Sequence, residues 1–230
     1  LQINYLLNTL IGIVILVIIN FVGYSKIFSK KVRATRGTGL LENYLAKKRV
    51  NLACRMIKKN GKKGALLDLG CGNHPMFLAG ATSFTERYGL DQAIDHRTIE
   101  QHRQTKIFLK QWDITSKQLP FDDNYFDVVS LLAVIEHLDR QSTLKLLEEV
   151  QRVLKHEGMV IITTPAQWTK KLLKLFVHLR LVSAEEFNEH KEQFTHNSLT
   201  KLLTETGFKS KKIYSGSFEL SANLWAVAKK

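Results

Sequence analysis

No charged residue occurs between Leu1 and Ser25. Proline is scarce as well, at 3 in 230 residues, and with only 13 glycines this excludes collagen-like, proline-rich and low-complexity chains. The two cysteines, Cys54 and Cys71, are too few for a disulfide framework. Cys/His pairs at metal spacing are lacking, so no metal site is expected. Acids nearly vanish from residues 24–63, which hold 13 Lys/Arg against Glu42 alone.

What is present reads as globular. Apolar residues make up 44% and charged residues 24%, an ordinary balance. The length suits one domain with an appendage. A net charge of +13 raises nucleic acid as a partner, but its distribution opposes that reading. Residues 64–230 carry 21 basic and 20 acidic residues, so the body of the chain is near neutral and nucleic acid is disfavoured.

The uncharged start is dominated by YLLNTLIGIVILVIINFV, Tyr5 to Val22. A helix rises about 1.5 Å per residue, so about 20 residues cross a hydrocarbon layer. Tyr5, Phe21 and Tyr24 fall near the ends, where aromatic rings favour the interface. A cleaved signal peptide needs a basic region before the run and a small-residue cleavage site, whereas here the basic residues follow it. A retained anchor over residues 1–25 is therefore expected. A basic juxtamembrane linker follows at 26–39, then a catalytic domain at 40–230. Lys26, Lys30, Lys31, Arg33 and Arg36 predict a single-pass membrane protein with its domain facing the cytosol. The same charges would rest on anionic head groups. Two free thiols fit that compartment.

Beyond the linker, Leu41, Tyr44, Leu45, Leu52, Met56 and Ile57 recur near helical spacing. Asn60-Gly61 closes this helix, whose expected role is to cover one side of the domain. Short apolar runs then alternate with helical patterns. Strands are expected at 65–69, 87–90, 106–110, 126–132 and 159–163, with a helix at 143–154. A terminal antiparallel pair is expected at 211–217 and 224–228. This order argues for βαβ units and a mostly parallel sheet.

The sharpest signal is LLDLGCG, Leu66 to Gly72. A strand runs into Asp68, then Gly70-Cys71-Gly72, then a helix near Pro75. Glycines serve where backbone bends tightly and approaches a ligand. Asp91 stands 19 residues after Gly72, the distance at which an acid holds a ribose. A dinucleotide fingerprint would need Gly where Pro75 stands. Cys71 reads as packing inside the loop.

With YGLD (Tyr88–Asp91), WDIT (Trp112–Thr115), LPFDDNYFDVVSLLAVIEHL (Leu119–Leu138) and RVLKHEGMVIITTP (Arg152–Pro165) in order, residues 40–230 resemble the class I S-adenosyl-L-methionine-dependent methyltransferases. The likeness is to the broad type 11 group. The resemblance implies a Rossmann-like α/β fold, with seven mostly parallel strands flanked by helices and the last strand antiparallel. It implies that Asp68 and Gly70 border the methionine end of the cofactor and that Gly72 permits close approach. Asp91 would accept from both ribose hydroxyls and Asp113 from the adenine amino group. The Ile114 backbone would lie along the ring, and Leu131 would line the pocket. The third glycine common in the family is His74 here.

Methyl transfer needs acceptor, methyl and sulfur in line, and a hydroxyl acceptor needs a base. Glu136-His137 follows the fourth strand at the edge where open α/β sheets bind ligands. His137 is the candidate base, and Glu136 the residue that orients a neighbour or the substrate. His190 is a candidate substrate contact, and His196-Asn197-Ser198 reads as a helix cap. KKLLKLFVHLRLV, Lys170 to Val182, reads as a helix covering the sheet or as an interfacial helix. The expected acceptor is a small molecule, a lipid, a quinone-like molecule or a lipid-linked glycan at the membrane, methylated on oxygen. The alternative is a catalytically silent cofactor-binding or scaffolding protein, for which His74 speaks.

Overall fold

The computed structural model describes residues 40–115, 118–168 and 192–230. The anchor and linker expected over residues 1–39, the stretch Lys170–Val182 and His190 lie outside the described residues. Among the described residues no helix is long and apolar enough to cross a membrane.

In chain order the elements are α1 (Leu40–Lys59), β1 (Gly64–Leu69), α2 (Met76–Gly80), β2 (Phe84–Asp91), α3 (His96–His102), β3 (Ile107–Gln111), β4 (Phe126–Leu132), α4 (Arg140–Val153), β5 (Leu154–Pro165), α5 (His196–Glu205), β6 (Ile213–Phe218) and β7 (Asn223–Lys229). The strands form one sheet in the order β3-β2-β1-β4-β5-β7-β6. β1 to β5 pair in parallel. β7 inserts between β5 and β6 and runs antiparallel to both. The chain builds outward from β1 to β3 and then crosses to β4. The carboxyl ends of β1 and β4 therefore flank the switch point where such sheets open a crevice.

The two-residue strand period divides the core. Leu67, Leu69, Val129, Leu131, Val160 and Ile162 face α4 and α5. Leu66, Val128, Met159 and Ile161 face the other way, onto Ala53 and Ile57 of α1 and Phe77 and Leu78 of α2. Near-continuous apolar strands are what burial on both faces demands.

Two local expectations change, while the helix expected near Pro75 is present as α2. β5 starts at Leu154 rather than residue 159. Its early part bulges against β4, with a register shift between Phe126 and Val128 and Glu157 at φ +61°. α2 after the glycine loop has only five residues. The cap of α5 is Thr195, not His196-Asn197-Ser198. Thr195 Oγ1 accepts from the Ser198 N–H, and Ser198 Oγ accepts from the Thr195 N–H in a reciprocal box. His196 instead meets Ser217 Oγ through Nε2 at 2.9 Å.

Arg152, at the head of the RVLK block, clasps the segment leading into β4. Its guanidinium donates to the carbonyls of Leu119 and Phe121 and to the carboxylates of Asp123 and Glu149. A planar fork is needed to meet this many acceptors at once. The clasp fixes where β4 enters the sheet and so where its carboxyl end delivers residues 133–137.

Candidate active site

Asp68 of β1 and Ser130 of β4 are register partners. Both are buried, and Ser130 Oγ donates to Asp68 Oδ1 at 2.6 Å. Burial pushes the Asp68 carboxyl up to about 7, nearby Asp91 adds to the rise, and the serine bond partly offsets it.

The glycine loop leaves β1 immediately beyond. Gly70 donates its N–H to the Leu90 carbonyl at 2.8 Å and holds φ +76°. A Cβ there would lie 2.5 Å from Val134 Cγ2. Gly72, at φ +61°, donates its N–H to Asp91 Oδ2 at 3.0 Å. Asp91 Oδ1 accepts from the Ala93 N–H at 2.8 Å. Two backbone donors therefore orient this buried carboxylate. His74 is exposed, so it does not wedge α2 away from the sheet. The close approach is made by Gly89 of β2, where a Cβ would meet Cys71 Sγ at 2.6 Å and Leu78 Cδ1 at 2.8 Å. Cys71 packs there, buried, and that burial raises its thiol well above the ordinary range.

Asp113 follows β3. Its Oδ1 accepts from the Thr115 N–H at 2.9 Å and the Thr115 hydroxyl at 2.7 Å. The Trp112 N–H ties this segment to the Asp91 carbonyl at 3.1 Å. Ile114 is half-buried against the larger core cluster. Leu131 is fully buried in that cluster. It pairs with Leu69 and faces away from Asp68. Its predecessor Ser130 holds the place against the acid.

Glu136 and His137 lie in a single 3-10 turn, Ile135–His137, beyond β4. Glu136 is 2% exposed, and desolvation pushes its carboxyl up to about 7, with the charge of Arg49 on α1 pulling back. Thr164 stands beside it without a well-formed hydrogen bond. Glu136 Oε2, Thr163 Oγ1 and Thr164 Oγ1 are all buried with no well-formed hydrogen bond among the described residues. The His137 ring is half-buried, with Nδ1 inside.

The arrangement is a row of acids at the carboxyl ends of β1, β2 and β3, with glycine backbone between them. This acceptor set fits the hydroxyl, amino and cationic groups of the S-adenosylmethionine that the sequence resemblance implies. A family described as a methyltransferase domain matches residues 41–212, most of the chain. The chain belongs to that family.

Among curated proteins, the methyltransferase-family chain is 32% identical over 113 residues to "Uncharacterized protein MJ0638" of Methanocaldococcus jannaschii, covering 46% of this chain and 44% of that protein. It is 29% identical over 106 residues to "Uncharacterized protein MJ1123" of the same organism, covering 46% and 47%. The aligned parts thus span about half the length of the curated relatives. Among solved structures, an S-adenosylmethionine dependent methyltransferase from Mesorhizobium loti superposes with TM-score 0.61 at 16% identity, over 81% of this chain and 100% of that one. A SAM dependent methyltransferase from Archaeoglobus fulgidus gives 0.55 at 16% identity, over 79% and 94%. These two likenesses carry the fold.

Relative to this methyltransferase fold, Ser130, Arg49 and Gly89 escape a sequence reading. Ser130 left one signal, a lone hydroxyl inside the apolar run VVSLL. Arg49 left none, since it looks like its neighbours Lys47 and Lys48.

Proposed function

We propose that this protein transfers a methyl group from S-adenosyl-L-methionine to an oxygen of a membrane-associated acceptor such as a lipid, a quinone-like molecule or a lipid-linked glycan. The observation that carries the cofactor part is the fixed Asp91 carboxylate, held by Gly72 and Ala93 at the end of β2. When bound, S-adenosyl-L-methionine supplies a methyl carbon activated by a positively charged sulfur.

The chain's own groups do the rest. Asp91 accepts from the ribose hydroxyls and Asp113 from the adenine amino group, with Ile114 along the ring. Gly70 and Gly72 let the backbone approach. Asp68, close to neutral pH in its titration, gives the cationic end a carboxylate, because a positive neighbour favours the ionised form. His137 takes the acceptor's hydroxyl proton at Nε2, since Nδ1 faces inward. Glu136 is enclosed, so it acts as a positioning residue, and the charge of Arg49 on α1 favours its ionised form. Leu131 backs this crevice from the core.

The uncharged run 1–25 and the basic residues 24–63 support membrane attachment with the domain in the cytosol. They also support an acceptor that resides in the bilayer. The test is incubation of the full chain in lipid vesicles with methyl-labelled S-adenosylmethionine and a membrane lipid extract. Label should enter the organic phase, and mass spectrometry should place it on oxygen. Asp91→Ala should abolish it. Cofactor binding with no label transferred to any fraction would instead favour a silent cofactor-binding protein.

A further inference from the structure

The cationic block concentrates on one face of α1. The helix buries Ala53 and Ile57 against the sheet. On the opposite side Lys48, Asn51, Arg55 and Lys58 are exposed at spacings of three and four, which align side chains along one helix face. A groove of about 540 Å³ follows this face from Tyr44 and Lys47 to Lys58, and no acid lines it among the described residues. Lys48 Nζ sits 5.2 Å from the centre of the Tyr44 ring. Arg55 and Lys58 form no ion pair among the described residues. From Tyr44 to Lys58 the stripe runs about 21 Å along the helix.

We propose that this stripe docks α1 on the anionic head groups of a lipid bilayer. It deepens the membrane part of the function proposed above without requiring that residues 1–25 span the membrane. Charge complementarity carries it. Lys47, Lys48, Arg55 and Lys58 line one groove, while residues 64–230 are near neutral as a whole. A field so confined attracts an extended anionic plane and turns this helix toward it. The sequence directly before α1 is basic and follows an uncharged apolar run. Tyr44 at the end of the stripe suits the head-group level. Docking also bears on the site, because Arg49 of the same helix acts electrostatically on Glu136.

The full chain is labelled with a fluorophore at position 51 through Asn51→Cys in a Cys54→Ser background. It is mixed with vesicles carrying a head-group quencher lipid, made from phosphatidylcholine with or without phosphatidylglycerol. Flotation on neutral vesicles reads the N-terminal attachment, and quenching reads α1. Quenching is expected with phosphatidylglycerol and should weaken in high salt. Each cation near such a surface contributes about 1 kcal/mol, so neutralising three should weaken docking roughly 100-fold, and reversing them in Lys48→Glu, Arg55→Glu and Lys58→Glu should weaken it further. The milder triple change to Gln should give an intermediate loss with the circular dichroism spectrum unchanged. Equal quenching on neutral and anionic vesicles, or quenching untouched by either triple variant, overturns the proposal. So does RNA binding that the same variants abolish while lipid docking is absent. Failure to float on neutral vesicles, with quenching on anionic ones intact, removes the anchor and leaves α1 docking standing.

Discussion

The backbone N–H of Gly72 donates to Asp91 Oδ2 at 3.0 Å, across 19 residues of chain. The glycine loop and the end of β2 are thus tied into one unit by the chain's own atoms. This has two consequences. The carboxylate is pre-oriented, so little ordering is left for binding. Its removal also leaves two backbone donors without their partner.

Asp91 variants should separate these effects. Asp91→Ala orphans the Gly72 and Ala93 N–H groups, at about 1–3 kcal/mol for the buried Gly72 donor and less for the part-buried Ala93 one. Asp91→Asn keeps oxygen for one of them and should unfold at a higher temperature than Asp91→Ala. Both should weaken S-adenosylhomocysteine binding in calorimetric titration, by on the order of 100-fold for Ala, the loss of charged hydrogen bonds to two hydroxyls. Unchanged affinity in a folded Asp91→Ala domain would refute the ribose role.

Gly70 should not tolerate alanine. The Cβ would approach Val134 Cγ2 to 2.5 Å at φ +76°, and a left-handed non-glycine residue costs about 1–2 kcal/mol by itself. Gly70→Ala should lower stability by roughly 2–4 kcal/mol in urea unfolding once overpacking is included. Val134→Ala in the same chain should recover only the steric part. Full recovery would show that backbone strain contributes nothing.

Glu136 should make the protein less stable as pH rises. Its carboxyl titrates near 7 when folded, against about 4.3 in an unfolded chain. Between these values the folded state binds more protons, so this contribution is complete below about pH 4 and is lost as pH passes through 7. The same sign holds for Asp68. Glu136→Gln should flatten the fall in melting temperature between pH 5 and pH 8. It should also stabilise the alkaline end by on the order of 2–3 kcal/mol. A slope identical to that of the parent chain would exclude Glu136 as its source.

Arg152→Lys should loosen the segment ahead of β4. The ammonium cannot span the carbonyls of Leu119 and Phe121 together with Asp123 and Glu149, so two or three hydrogen bonds vanish at about 1 kcal/mol each. Amide exchange at Phe121 and Tyr125 should quicken before global unfolding does. Exchange that rises uniformly across the domain would argue against a local clasp.

Much of the sheet was legible because strands buried on both faces must be apolar throughout. The runs around Leu67, Val129 and Ile161 therefore show themselves without an alignment. Asp68, Asp91 and Asp113 were legible because each is a charge placed where an apolar run stops. The bulge that lengthens β5 was not, since Gly158 and Glu157 read as an ordinary turn. Nor was the cap at Thr195, because Thr, Asn and Ser stand close together and only backbone angles choose among them.

By itself, the sequence determined the apolar period of the strands, the glycine loop with its acids, and the separation of positive charge from the near-neutral body. Each is a property of order and spacing along the chain, readable without knowing which segments pack together. Tertiary structure alone decided that Ser130, not Leu131, meets Asp68, that Arg49 among its cationic neighbours acts on Glu136, and that Gly89 rather than a third loop glycine makes room for Cys71 and Leu78. These depend on strand register and helix rotation. One residue of slip turns every side chain of a strand to the other face, and only the packed sheet selects the register.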